Sequence, residues 1–270
     1  MTAGSTPAPR HRRALGPQMT EDAAAWSAVL RDLDAAPVFA LVDDEGRFLQ
    51  QRQRDDGQKL VLFYAEIDRA LDELEAARAA SSESKLQLKP VGLGGAYEAV
   101  QSGKVRKLLN LSTCARANCF HQRLFLHFSR FQAMLVPGFK EVGAAQDMQI
   151  AAPEDAAAML ESAGIESPVV KWQDDVIPVF GCFEMVRRRP DGSRFTPVFM
   201  SHSDAQAAFD KARAANPERT AKFEVDVVPL PKLLELAVAG KAKVPPRVIP
   251  PSTSMLFLQG KYNRPERPGE

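Results

Sequence analysis

Cysteine, aromatic residues and long apolar runs are scarce in this chain, and each shortage removes a class of protein. Three cysteines in 270 residues make no disulfide framework. None of them forms a Cys-x-x-Cys pair, so thioredoxin-like exchange lacks its attacking and resolving thiols. No uninterrupted apolar run approaches the roughly 20 residues that span a bilayer, and a soluble protein is expected. Net charge is lacking too: 35 Lys+Arg against 34 Asp+Glu leave +1, which gives no general reason to bind nucleic acid or an anionic membrane. The glycines of VGLGGAY (91–97) are followed by neither G-x-x-G nor Gly-Lys-Ser, which argues against a phosphate loop. No cofactor and no enzymatic activity are expected.

The present residues say one thing twice. Residues 36–103 and 177–240 carry one ordered set of signals, and an internal duplication of this kind specifies architecture before function. Pro-Val-Phe at 37–39 and again at 178–180 opens a strand, where a proline's missing N–H is tolerated at the first residue. Asp43-Asp44-Glu45-Gly46 and Pro190-Asp191-Gly192 follow as turns that place glycine where a hairpin wants positive φ. Returning strands start at Phe48 and Phe195, and a buried strand is expected at Leu60–Tyr64, matched by Val198–Met200. Amphipathic helices come next: Ile67, Ala70, Leu74 and Ala77 share a face, as do Ala205, Ala208, Phe209 and Ala212. Ser203 and Gln206 read as a capping box for the second helix. Further strands at Leu86–Val91 and Phe223–Leu230 lead into short apolar helices at Gly94–Val100 and Lys232–Ala239.

Beyond Gly103 and Gly240 the copies diverge. Matching MQIAAPEDAAAMLE (148–161) to PRVIPPSTSMLFLQ (246–259) places an insertion in the first copy, within 104–147. The expected organisation is a disordered basic segment at 1–24 and a first lobe at 25–163. A linker at 164–176, a second lobe at 177–259 and a tail at 260–270 complete it. The fold class is mixed α+β, with two pseudo-symmetric repeats, each a small sheet with an amphipathic helix packed on it. Residues 1–20 hold Arg10, His11, Arg12 and Arg13 and no acid, a composition shared by transit peptides and by short basic tails.

In order, spacing and PVF/VPL signatures, residues 36–103 and 148–259 resemble the 22-kilodalton subunit family of the translocon at the inner envelope of chloroplasts. The resemblance implies a two-lobed α/β fold with apolar surface grooves, in the plastid intermembrane space or, in cyanobacterial relatives, the periplasm. It implies a chaperone-like role in plastid protein import, binding precursor proteins and passing them to the inner-membrane translocon. The alternative is a scaffold that binds only translocon or outer-membrane assembly components. Unfolded precursors and translocon components are the implied partners, with no nucleic acid.

Phe39, Leu41, Phe63, Phe180, Phe183, Phe199 and Met200 are the candidates for a client groove. Each is also a core residue on the simpler reading, and they reach a client only where the lobes splay apart. Met185 and Met255 would suit such a groove, since thioethers adapt to varied surfaces. Cys114, Cys119, His121 and His127 supply the right atoms for zinc, but a single residue between the Cys and His pairs is far short of the usual loop. The simpler reading is a helix over Asn118–Leu135, with Phe120, Leu124, Phe128, Phe131 and Leu135 as its stripe. Lys104, Arg106, Lys107, Arg116, Arg123, Arg130 and Lys140 precede the segment's first acid, Glu141. The segment therefore also suits an arm touching lipid headgroups or nucleic acid, and suits equally translated non-coding sequence with no selected structure. Cys182, mid-strand in VFGCFEM, reads as an inert small hydrophobe, and Ser201-His202-Ser203 as a helix cap. The acid pairs Asp43-Asp44 and Asp174-Asp175, and the run Arg187–Arg189, read as solvated turn and ribbon charges.

Overall fold

A computed structural model describes residues 23–52, 59–80, 85–102, 132–151, 176–220, 223–242 and 244–264. The basic segment at 1–22, the basic run at 104–130 with its Cys114–His127 constellation, most of the linker and the last six residues lie outside them.

The duplication is real and extends to strand order. In the first repeat β1 (Pro37–Val42), β2 (Gln50–Arg52), β3 (Lys59–Tyr64) and β4 (Gln87–Gly92) form a sheet in the order β2-β3-β1-β4. A parallel fifth strand, β5 (Gln132–Val136), lies along β3. The second repeat has β6 (Pro178–Gly181), β7 (Arg187–Arg188), β8 (Arg194–Phe199), β9 (Asp226–Pro229) and β10 (Pro246–Ile249), with the same connectivity. Registers coincide: Phe39 faces Tyr64, and Phe180 faces Phe199. Gly46 (φ 76°) and Gly192 (φ 84°), each in a turn, take the backbone region that favours glycine, but they are not counterparts as expected. Gly46 lies between β1 and β2, whereas Gly192 lies between β7 and β8, so Phe195 opens the equivalent of β3 and not of the strand after Phe48. Asp43 and Asp191 brace these turns by accepting N–H bonds from Arg47 (2.8 Å) and Ser193 (2.8 Å).

Helices fill three layers. α1 (Ala23–Leu33), α3 (Leu93–Ser102) and, after the helices of the second repeat's outer face, α7 (Leu230–Val238) contribute to a core that also takes in residues of both sheets. That shared core is why the lobes do not splay. Outside the first sheet lies α2 (Ile67–Ala80), and outside the second α5 (His202–Ala215), which follows α4 (Phe139–Ala151) in the chain; the one-turn α6 (Pro217–Thr220) follows α5. Because side chains alternate along a strand, Val38 and Ala40 enter the shared core while Phe39 and Leu41 face α2. Every residue of β1 and of β6 is buried. Ser201, not Ser203, caps α5: it has extended backbone, φ −120° and ψ 128°, and its hydroxyl accepts from the Asp204 N–H.

The helices that follow the fifth strands are exchanged. α4 leaves β5 and lays Ala144, Ala145 and Met148 against Phe180, Phe199 and Ala205 of the second lobe. α8 (Ser252–Leu258) leaves β10 and sets the Phe257 ring edge-on to Phe39 of the first lobe, centroids 5.5 Å apart. Beyond α8, Tyr262 bonds Asp68, and Arg264 pairs with Asp72 and Glu75 on α2. Residues 260–264, expected in the tail, are thus tied to the first lobe.

This arrangement corrects the repeat boundaries. β5 and α4 correspond to β10 and α8, so Val136 matches Ile249 at the ends of the paired strands. The insertion therefore falls within 104–131, in the first part of the expected 104–147 window and before β5. The expected helix Asn118–Leu135 ends otherwise: Leu135 is in β5, buried beside Phe63 in register.

α1 explains the glycine run. Asp34, just after it, accepts from the Gly95 N–H at 2.9 Å. A Cβ on Gly94 would lie 1.9 Å from the Leu30 carbonyl oxygen, far inside any real contact. Gly94 lets α3 pack against α1, and Gly92, at the end of β4, leaves room for the Asp34 side chain.

Candidate functional site

The structure separates the seven groove candidates. Phe39, Leu41, Phe63, Phe180 and Phe199 are buried on strands covered on both faces by helices, and Met200 is buried just past the end of β8. They hold the fold and do not line a surface. Phe183 is 37% exposed, because it lies in the turn between β6 and β7 rather than within a covered strand.

That turn opens onto a surface cleft of about 500 Å³ in the second lobe. Met185, Ala212, Thr220 and Phe223 line its interior, and Glu184, Val186, Arg188, Arg194, Asn216 and Arg219 its more exposed walls. The β6–β7 turn, closed by the Met185 N–H on the Cys182 carbonyl, holds Met185 inward. α5 and α6 form the facing wall, and the Thr220 hydroxyl donates to the Asn216 carbonyl at 2.7 Å. Beneath lie Cys182 and Phe209, the latter 6.4 Å from the Phe223 ring. The space combines a thioether and an aromatic interior with guanidinium walls, a surface that can hold apolar side chains without fixed geometry.

Cys182 is not a nucleophile. It is buried, its thiol is 3.2 Å from a Glu184 carboxylate oxygen, and burial followed by that carboxylate pushes its pKa up to about 11. A thiol so held is almost wholly protonated at neutral pH. Ser201, His202 and Ser203 serve the α5 start, where the His202 N–H donates to Glu141 at 2.7 Å. Among the described residues no group of three or more His, Cys, Asp or Glu could hold a metal ion; Cys114, Cys119, His121 and His127 lie outside them.

Between the lobes, a hole of about 10 Å³ is lined by Ala65, Glu66, Gly138 and Glu141 with Ile177, Met200 and Pro251. It is about large enough for one water molecule. Both glutamates have raised pKa values, chiefly from burial; for Glu66 the Glu141 charge adds to it. The hole is a seam of the lobe interface and too small for a ligand.

No protein-family model matches the sequence, and no curated protein matches it. Among solved structures, Anabaena Tic22, a protein-transport protein, aligns over 90% of this chain and 99% of its own, with TM-score 0.54 and 16% identity. Tic22 from Plasmodium falciparum aligns over 86% and 96%, with TM-score 0.56 and 13% identity. The resemblance first carried by short repeated signatures therefore extends through nearly the whole chain, which has the Tic22 fold.

Proposed function

We propose that this chain is a chaperone-like factor of plastid protein import, which holds unfolded segments of precursor proteins between the envelope membranes and passes them to the inner-membrane translocon. The observation that carries this reading is a surface cleft with Met185, Val186 and Phe223 among its lining, on a fold shared with a protein-transport protein. Holding requires adaptable apolar contact and no chemistry. Among the described residues no helix is long and apolar enough to cross a membrane, as suits a factor that works between two of them.

The test is light scattering of a chemically denatured plastid precursor diluted into the protein. Suppression of aggregation at stoichiometric ratio is expected. It should weaken in the variant Val186→Ser, whose side chain lines the cleft and is 44% exposed and therefore replaceable without a core cavity. Deleting residues 104–131 should leave it intact. If the intact chain suppresses nothing, client holding is wrong, and a scaffold that binds only translocon or outer-membrane assembly components replaces it.

A further inference from the structure

We propose that the second-lobe cleft is selective: it takes an extended acidic segment of a partner protein, with one large apolar side chain over Met185 and Phe223 and carboxylates on the surrounding arginines. This rests on reading the chain as a peptide-holding factor and names the class of peptide.

The cleft gathers positive charge that the fold itself does not neutralise. Arg188 ends β7, Arg194 opens β8 and Arg219 lies in α6, so three separate elements bring a guanidinium to the same cleft. None of the three has a carboxylate partner among the described residues, although other arginines of the chain do: Arg47 pairs with Asp43 and Glu45, and Arg264 with Asp72 and Glu75. Glu184, the one acid of the lining, accepts from the Cys182 thiol, a neutral group that does not cancel its charge, and Asp226 is near enough to interact with it. The lining sets three guanidiniums against one carboxylate. The cleft thus carries a formal excess of positive charge on a protein whose total is only +1. Guanidiniums prefer planar carboxylates, which they hold by paired hydrogen bonds. Beside the apolar interior, they specify a ligand that is acidic at its flanks and apolar at its centre.

The same charges discriminate against other segments. An arginine-rich, acid-poor leader of the transit-peptide kind meets like charge at three points, which disfavours binding. The held segment is therefore expected outside the leader of a cargo protein, or on an acidic partner to which cargo is passed.

Fluorescence anisotropy with labelled octapeptides tests this on the full chain. The acidic probe is Gly-Asp-Glu-Leu-Phe-Glu-Asp-Gly; a neutral probe replaces its acids by Asn and Gln, and a basic one by Lys and Arg. At low salt the acidic probe should bind on the order of tenfold more tightly than the neutral one, with the advantage shrinking as salt rises. The basic probe should bind least. The double variant Arg188→Glu, Arg219→Glu changes two exposed side chains, and circular dichroism checks that it folds; it should reverse the acidic and basic ranking. Equal binding of acidic and neutral probes overturns the selectivity while leaving apolar holding in place. Absence of binding by every probe, with aggregation of denatured precursor still suppressed, places the holding surface elsewhere and overturns the cleft assignment. Displacement of the acidic probe by anionic vesicles, and not by neutral ones, would make the cleft a headgroup site and overturn the peptide reading.

Discussion

Phe257 belongs by sequence to the second repeat and by contact to the first, and its replacement by alanine separates those two descriptions. The ring is partly buried, edge-on to Phe39 at 5.5 Å and 6.4 Å from Tyr262. A fully buried Phe→Ala change costs about 3–5 kcal/mol. A partly buried ring loses less transfer energy but also an aromatic pair worth about 0.5–1.5 kcal/mol. Together these suggest a loss of about 2–3 kcal/mol, or roughly 4–12 °C in Tm for a chain of this size. Hydrogen exchange with peptide mapping shows where the loss falls. Protection should decrease in β1 and α2, at the opposite end of the sequence, with β8 and α5 less affected. Loss of protection confined to residues 177–250, with the first sheet unchanged, would refute the exchange of helices. The mirror variant Met148→Ala should loosen β6 and α5 while sparing β1 and α2.

Stability should rise as the pH falls from neutrality. Burial raises the folded pKa values of Glu66 and Glu141, and that of Asp226 to about 6. Each folded carboxylate thus binds its proton more tightly than in the unfolded chain, and the cost of ionising it is present above the folded value and gone below the unfolded one. Thermal melts from pH 7.5 down to 5 should therefore show a rising Tm, and Glu66→Gln should raise Tm at pH 7.5 and flatten the profile; a Tm that falls over that range contradicts the assignment. Gly94→Ala should cost about 2–3 kcal/mol, since its Cβ meets backbone at 1.9 Å. Gly143→Ala in α4 has nothing within 4 Å of the new Cβ and should gain about 0.5–1 kcal/mol; urea titration reads both. Cys182, buried with its thiol near pKa 11, should resist alkylation at pH 8 until denaturant is added, as peptide mass mapping would report.

Most strands and the amphipathic helices were legible because each signal is local. A Pro-Val-Phe start, a glycine at positive φ and a helical spacing of apolar side chains need no knowledge of neighbours. The apolar phenylalanines were legible too, but not which side of the protein they face. Phe39 and Phe180 sit on strands buried on both faces, so nothing in their own segments tells a core from a groove. Leu135 fits a helical stripe with Phe131 and fits β5 equally; only its pairing with Phe63 decides, and α2, β4 and α3 all intervene between the two in the chain. Trp26, Val29, Leu30 and Leu33 carry a helical spacing for α1, which comparison of the two copies passes over because it lies before them. The arginines of the cleft are invisible as a group, since Arg188, Arg194 and Arg219 meet only after three elements are folded.

The crossing of α4 and α8 makes each half of the molecule unable to finish itself. A lone half would keep α2 or α5 on its outer face but lose the second helix beside it, Phe257 from the Phe39 face or Ala144, Ala145 and Met148 from the Phe180 face, and would carry a helix with no sheet to cover. Two such halves complete one another, as in a domain-swapped pair, although one chain carries both, joined through residues 152–175. A single proteolytic cut there should leave a particle that sediments at the mass of the intact chain and separates only in denaturant.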